Sequence, residues 1–550
     1  MFGYCWPLLL VLVFLASSGY SAVSGIRSVT ASRTELLFEL GAPAGEQLQL
    51  FEYRLWEEPT DWLNRMPLWE GEATSQPVYL PRFEGQRDRL VSKFLLVRKA
   101  TGHALGAPHY ITEVEPLPDR NFELPWPVNK KGLQVQLPED AVDLGLGYAA
   151  FGILVSAVVD FSGNPPEATW EVDGESIPIN MAYIRGFDVA FKTLAEAGIN
   201  CTLIPINGVP TEPHPENPFI HPRTDLAGAP NHLGAFNLTD ERGLLHYRAV
   251  IEFLADRYTQ PDCRYGWISG FVVGNEVQAH WDWHNMGKAT LDELIEDYGR
   301  TLRVTDLIAR STHPELRTYV SMTQSWTENY YNDPLKGFPG KDFIDKLAVW
   351  GKQGGDFPWQ VAFHPYPENL FNPRFWDDRE ATLSFQTPKI TFKNIEVLPA
   401  YMAQSRLLYK GQPRHIILSE QGFHTEPGEA GEQLQAAALA AAWHKIESMP
   451  GIEAFILHRH VDHGQEGGLN LGLWTRKLDD PLPHIPDRKK LSWQVWHAAG
   501  TPAWEQTVEF AKPILGIESW DELLPSTHIE GAAESTSELL IAQEGASDYV

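Results

Sequence analysis

Two carboxylates stand out by what precedes them. Gly266-Trp267-Ile268-Ser269-Gly270-Phe271-Val272-Val273 is an apolar run of strand length that ends abruptly in Gly274-Asn275-Glu276. Ile416-Ile417-Leu418 ends in the same manner in Ser419-Glu420-Gln421-Gly422. A carboxylate at the end of a buried strand is costly to place without a purpose. At the C-terminal mouth of a parallel barrel such a residue reads as catalytic. Two of them sharing one mouth suit glycoside hydrolysis: one protonates the leaving oxygen and the other attacks the anomeric carbon. The retaining version needs the carboxyls about 5–5.5 Å apart. It also needs surroundings that keep one an acid and the other ionised. A structural ion pair is the plainer reading of Glu276, and a loop cap that of Asn275.

These roles require strands that end at one mouth. From residue 131 the chain alternates strand and helix signals. Strands are expected over 131–136, 148–159, 201–206, 267–274, 317–324, 360–364, 415–419 and 452–457. Helices are expected over 139–144, 181–197, 241–258, 290–311, 340–350, 395–409, 433–448 and 488–498. Eight such repeats predict an α/β fold of the (β/α)8 TIM-barrel type. A doubly wound open sheet is the alternative, but no Gly-rich phosphate loop follows the first strand. In the barrel register Glu276 ends strand four and Glu420 ends strand seven. Strand six ends in His364-Pro365-Tyr366, strand five in Gln324-Ser325-Trp326, and strand eight in His458-Arg459-His460-Val461-Asp462-His463.

The other strand ends offer substrate contacts. Sugar rings pack their CH faces on aromatic rings, so Trp281, Trp283, Trp326 and Trp474 are candidate platforms, with core packing as the alternative. His280 and His284 share the loop of Trp281 and Trp283. His458 and His460 would lie on one face of strand eight. They suit substrate hydroxyls or an acidic group, and a zinc-like ion is the other reading. No metal or other cofactor is expected for the leading chemistry.

Asn-Glu after the fourth strand and Glu after the seventh resembles the pattern of the clan-A (β/α)8 retaining glycoside hydrolases. That resemblance implies Glu276 as acid/base, Glu420 as nucleophile, Asn275 on the sugar 2-hydroxyl, and His364 or Tyr366 as neighbour of the nucleophile. The chain is more similar still to a bacterial family known as a domain of unknown function. The matching stretches are 273–277, 363–367, 416–423 and 454–463, within roughly 131–499. This implies fold and reaction class but no substrate. Strand eight departs from the clan, which commonly offers a Trp platform where this chain has a His/Arg/Asp cluster.

Composition bounds the rest. A chain of 550 residues predicts two or three domains. A net charge of −28 argues against nucleic acid or an anionic membrane as partner. A carbohydrate partner suits the 19 Trp and 18 Tyr. Residues 1–24 resemble a signal peptide with an apolar run at 7–16. A secreted or periplasmic protein without stable membrane insertion is expected, an uncleaved anchor being the alternative. Short β-like runs over 25–115 predict a small β-sandwich, followed by a Pro-rich linker at 116–127. The barrel is expected over 128–500, a helical extension over 501–525 and a disordered acidic tail over 526–550. Cys201 and Cys263 are expected at the barrel bottom, free or bridged. Asn237-Leu238-Thr239 fits a glycosylation sequon. Two other functional readings are a non-catalytic carbohydrate-binding barrel and a metal-dependent hydrolase built on His458 and His460.

Overall fold

The computed structural model describes residues 25–532, apart from 121 and 213–216. The signal-peptide segment and the tail beyond 532 lie outside the described residues.

Eight parallel strands close into a barrel: β1 (Lys131–Gln134), β2 (Tyr148–Leu154), β3 (Asn200–Ile206), β4 (Ile268–Val273), β5 (Arg317–Thr323), β6 (Trp359–His364), β7 (Ile416–Leu418) and β8 (Ala454–Leu457). β8 pairs back onto β1, with Gly132 opposite Ile456. Every residue of β4, β6, β7 and β8 is buried. A parallel strand covered on both faces is mostly apolar, hence the near-continuous hydrophobic runs. Tyr148, Ala150, Ile204, Val272, Tyr319, Ala362, Ile417, Ala454 and Ile456 fill the interior as their own cluster. The barrel is therefore a packed core, with chemistry left to its ends. Gly270 is needed where β4 meets β5, since a Cβ there would sit 2.0 Å from the Arg317 carbonyl oxygen.

Long helices at Met181–Glu196, Glu241–Arg257, Leu291–Thr312, Gly340–Gln353 and Glu429–Glu447 lie in the intervals between strands. Several expected elements differ. The run 148–159 divides, because β2 stops at Leu154 and Val155–Val158 turns helical. The helix expected over 395–409 is only Val397–Met402, beyond which Arg406 and the Tyr401 hydroxyl are both tied to Asp345. The helix expected from 488 begins at Leu491, because Pro486–Lys489 pairs as a strand with Trp474–Arg476. A hairpin of Ala168–Val172 and Glu175–Ile179 carries no strong turn signal beyond Asp173-Gly174.

The N-terminal segment forms two larger sheets and a small hairpin of Phe83–Glu84 with Arg87–Asp88. One orders Glu113–Val114, Gly25–Ala31, Glu35–Gly41 and Val78–Pro81; the other contains Gln47–Tyr53, Trp69–Glu72 and Lys93–Arg98. Phe38 and Phe94 meet edge-to-face between them at 4.9 Å. The buried Arg303 guanidinium of the Leu291–Thr312 helix lies 4.7 Å from the Tyr110 ring and 4.2 Å from Phe357, joining this segment to the barrel. The 116–127 stretch packs against the barrel rather than spanning open space, with Arg317 stacked 3.7 Å over Trp126. Residues 526–532 are not a free tail: Ser526 donates to Glu396 at 2.9 Å and Glu530 to the Leu383 carbonyl at 2.9 Å. Cys201 and Cys263 are free. Asn237 is buried and its amide donates to the Pro218 carbonyl, so the sequon is not an exposed acceptor. Among the described residues no helix is long and apolar enough to cross a membrane.

Candidate active site

Glu276 follows β4 by three residues. Its backbone is left-handed, with φ 39° and ψ 51°. That conformation costs a side-chain-bearing residue roughly 1–2 kcal/mol, so the surroundings must enforce it. Gly274 before it has φ 74°, and the Glu276 amide donates to Ser321 Oγ on β5 at 2.9 Å. The side chain is nearly buried and Oε1 accepts from His364 Nδ1 at 2.9 Å. His364 is the last residue of β6, and its Nε2 lies 3.0 Å from Ser419 Oγ, next to Glu420. One imidazole therefore spans from the β4 carboxylate to the end of β7.

Glu420 follows β7 and is clamped at both oxygens. Tyr366 donates its hydroxyl to Oε1 at 3.1 Å, and Gln134 at the end of β1 donates Nε2 to Oε2 at 3.1 Å. Burial pushes this carboxyl up, but the charges of His458 and His364 and the bonds from Gln134 and Tyr366 outweigh it and hold it below the usual carboxylate range. Burial pulls His364 down, while its bond to Glu276 and the charges of Glu420 and Glu276 raise it above the ordinary value. Burial and the same two carboxylates push the Tyr366 phenol well up, so it stays a donor. The two glutamates thus sit in different surroundings at one mouth. Glu420 is fixed as an anion by two donors. Glu276 has His364 as the single side-chain partner of its carboxyl among the described residues.

A family model matches residues 123–523. The chain belongs to the family of unknown function DUF5722. A search of curated proteins finds no match. Among solved structures, a family 39 glycoside hydrolase from Bacteroides cellulosilyticus WH2 is similar over 86% of this chain and 81% of its own, at 13% identity and a TM-score of 0.42. A beta-glucosidase from Pyrococcus furiosus is similar over 69% of this chain and 87% of its own, at 13% identity and a TM-score of 0.42. A family 1 beta-glucosidase from Thermotoga maritima covers 66% and 84%, at 12% identity and a TM-score of 0.40. Scores this low carry neither fold nor activity across to the DUF5722 chain.

Strand eight of this DUF5722 member corrects the expectation for its histidines. β8 ends at Leu457, so His458 and His460 do not alternate along a strand. His458 spends Nδ1 on Gln134 Oε1 at 2.7 Å and Nε2 on Glu466 Oε1 at 3.0 Å. Neither nitrogen is left for a sugar hydroxyl. His460 is wholly buried and turned away: its Nδ1 accepts from the Gln136 amide at 3.2 Å, and its Nε2 donates to Asp140 at 2.9 Å. The two rings do not converge on a metal, and no group of three His, Cys, Asp or Glu side chains among the described residues is placed to hold one. Asp140 also accepts from the indoles of Trp474 and Trp493, each at 2.9 Å, and pairs with Lys489 at 3.0 Å. Burial raises its carboxyl, but these donors hold it well below the usual range.

The platforms divide. Trp326 is fully buried against Tyr401 and offers no face to a substrate. Trp281 is 9% exposed with Lys336 over its ring at 3.9 Å, so it too is core. Trp474 is half-buried with its indole N–H committed to Asp140. Trp283 is half-buried at the end of the short helix His280–Trp283 and remains a candidate platform. Asn275 is half-buried and its side chain bonds no other described residue. His280 and His284 are buried, and burial pulls them down to about 4 and about 3, so both are neutral packing groups. A hollow of about 610 Å³ opens at the opposite end of the barrel, lined by Trp126, Tyr148, Arg317 and Glu453. Arg317 and Glu453 pair there at 2.6 Å, and neither Glu276 nor Glu420 lines it.

Sequence reasoning missed Gln134, Glu466 and Asp140. Gln134 closes the first strand, so the rule that strand ends carry chemistry was available for it. Nothing local marks Glu466.

Proposed function

We propose that this protein is a retaining glycoside hydrolase acting on a poly- or oligosaccharide, with Glu276 as acid/base and Glu420 as nucleophile. The supporting observation is the unequal pair itself: a doubly clamped anion after β7 and, across His364, a carboxyl after β4 with one oxygen left unbonded among the described residues. Glu420 attacks the anomeric carbon. Glu276 delivers its proton to the leaving oxygen, then takes one from the water that releases the glycosyl-enzyme. Asn275 and Trp283 are left to meet the sugar. The apolar run at 7–16 supports export to a secreted or periplasmic location.

Glu276→Gln and Glu420→Gln should each abolish turnover of a panel of nitrophenyl glycosides and natural glycans while keeping the melting temperature. A 2-deoxy-2-fluoro glycosyl fluoride should leave a covalent adduct on Glu420. Full activity in either variant refutes the assignment. Sugar binding that survives both substitutions, with no hydrolysis by the wild type, would favour a non-catalytic carbohydrate-binding barrel.

A further inference from the structure

A line of contacts reaches Glu420 from the side away from Glu276. The Gln134 amide is bonded at both ends. Its Nε2 donates to Glu420 Oε2 at 3.1 Å and to the Ser419 carbonyl at 3.3 Å, and its Oε1 lies 2.7 Å from His458 Nδ1. This fixes which end is which. Turned over, the amide oxygen would face a carboxylate and a carbonyl, two acceptors with no hydrogen between them. Oε1 is therefore the acceptor, and His458 Nδ1 donates to it. On the other side of the ring, Nε2 faces Glu466 Oε1 at 3.0 Å, again an acceptor. Both ring nitrogens face acceptors, so each can donate, one to Glu466 and the other to Gln134. Arg459 shares the same Glu466 carboxylate. Two cations on one anion leave positive charge beside the amide that holds Glu420.

The backbone is built to keep this line in place. The His458 amide donates to the Gln421 carbonyl at 2.7 Å. A Cβ at Gly422 would sit 2.3 Å from the His458 carbonyl oxygen, so only glycine lets the β7 loop approach the β8 loop this closely. The arrangement is local to the nucleophile, for among the described residues the Glu276 carboxyl bonds His364 and none of these three side chains.

We propose that Gln134, His458 and Glu466 form a relay that orients the Glu420 carboxylate and steadies its negative charge, acting as positioning residues for its attack on the sugar. The proposal rests on the reading of Glu420 as nucleophile. With Gln134 on Oε2 and Tyr366 on Oε1, the carboxylate is held in one plane, and its remaining lone pairs are presented in a fixed direction. Removing the His458 charge or its Glu466 counterion frees Gln134 to rotate and withdraws that support.

The test uses the full chain and three variants, His458→Asn, Glu466→Gln and Gln134→Leu. The first readout needs no substrate. Infrared difference titration of protein carrying 13C-labelled glutamate, against a Glu420→Gln reference, follows ionisation of the Glu420 carboxyl. The groups facing it are Gln134 from β1, His364 and Tyr366 from β6 and His458 from β8, with Glu276 beyond His364 and Glu466 near Tyr366. In His458→Asn and Gln134→Leu the carboxyl should protonate at higher pH than in the wild type, because the His458 charge and the Gln134 bond both hold it down. The second readout is kinetic. In each variant kcat on aryl glycosides should fall about 10- to 100-fold, the worth of a hydrogen bond to a charged group. KM should stay within about threefold, because the relay bonds Glu420 and not the sugar. A packing role alone would lower the melting temperature and leave the Glu420 titration where it was. An unchanged titration in folded His458→Asn and Gln134→Leu overturns the relay. Gln134→Leu, close to glutamine in size, decides the matter if His458→Asn fails to fold. If the wild type gives no fluoroglycosyl adduct on Glu420, the nucleophile reading fails, while the titration still reports on the relay.

Discussion

Tyr366→Phe removes a single oxygen from the site and tests how Glu420 is held. The phenol is buried and its hydroxyl lies 3.1 Å from Glu420 Oε1. The ring can stay where it is, since phenylalanine fills the same space. What is lost is a hydrogen bond to an anion, about 1.5–3 kcal/mol. At about 1.4 kcal/mol per factor of ten, kcat/KM should fall roughly 10- to 100-fold. That range is an upper bound, because only the part of the bond that is stronger in the transition state reaches the rate. The rest appears in the pH profile. Burial raises the Glu420 carboxyl, and Tyr366 is among the groups that bring it below the usual range. Without the phenol the carboxyl protonates at higher pH, and the acid limb of kcat/KM moves upward. Aryl glycosides of graded leaving-group acidity, assayed across the acid range with melting curves alongside, provide the measurement. A variant whose rate and acid limb both match the wild type would refute the clamp. A limb that moves downward would refute the sign of the electrostatics.

His364 ties pH to stability. Its folded value lies above the ordinary 6.5, so its contribution is complete below about 6.5 and is lost as pH rises through the folded value. The urea-midpoint gap between wild type and His364→Asn should therefore narrow as pH rises from slightly acid to alkaline. Gly422→Ala should cut kcat more than it raises KM, since the added methyl would lie 2.3 Å from the His458 carbonyl and push the relay outward. Denaturation and kinetics together would show it. Trp326→Ala should cost about 3–5 kcal/mol of stability as a large core truncation, read from denaturant midpoints. Trp283→Ala should leave the midpoint in place and raise KM, as befits a half-exposed ring.

Where sequence reasoning went astray, a distant partner decided the outcome. His458 and His460 sit two residues apart and look like a pair. In the fold they part company, one to Gln134 and Glu466, the other to Asp140. Trp326 at a strand end looks like a platform but is packed under Tyr401. The helix expected from 488 gives way to a strand because Trp474–Arg476 is there to pair with it. Propensity alone carries no information about such partners.

The sequence by itself determined the barrel and the two carboxylates. Runs buried on both faces are apolar along most of their length, and a run that stops at Asn275-Glu276 or Ser419-Glu420 marks a strand end without reference to anything else in the chain. Only the tertiary structure decided what those carboxylates experience. His364 reaches Glu276 across 88 residues of sequence. Gln134 meets Glu420 across 286 residues and His458 across 324, because β1 closes the barrel against β8. A residue's hydrophobicity is carried in its own side chain and can be read in order. Hydrogen-bond partners and electrostatic surroundings are set by whichever residues the closed ring brings within about 3 Å, and no local pattern encodes that distance.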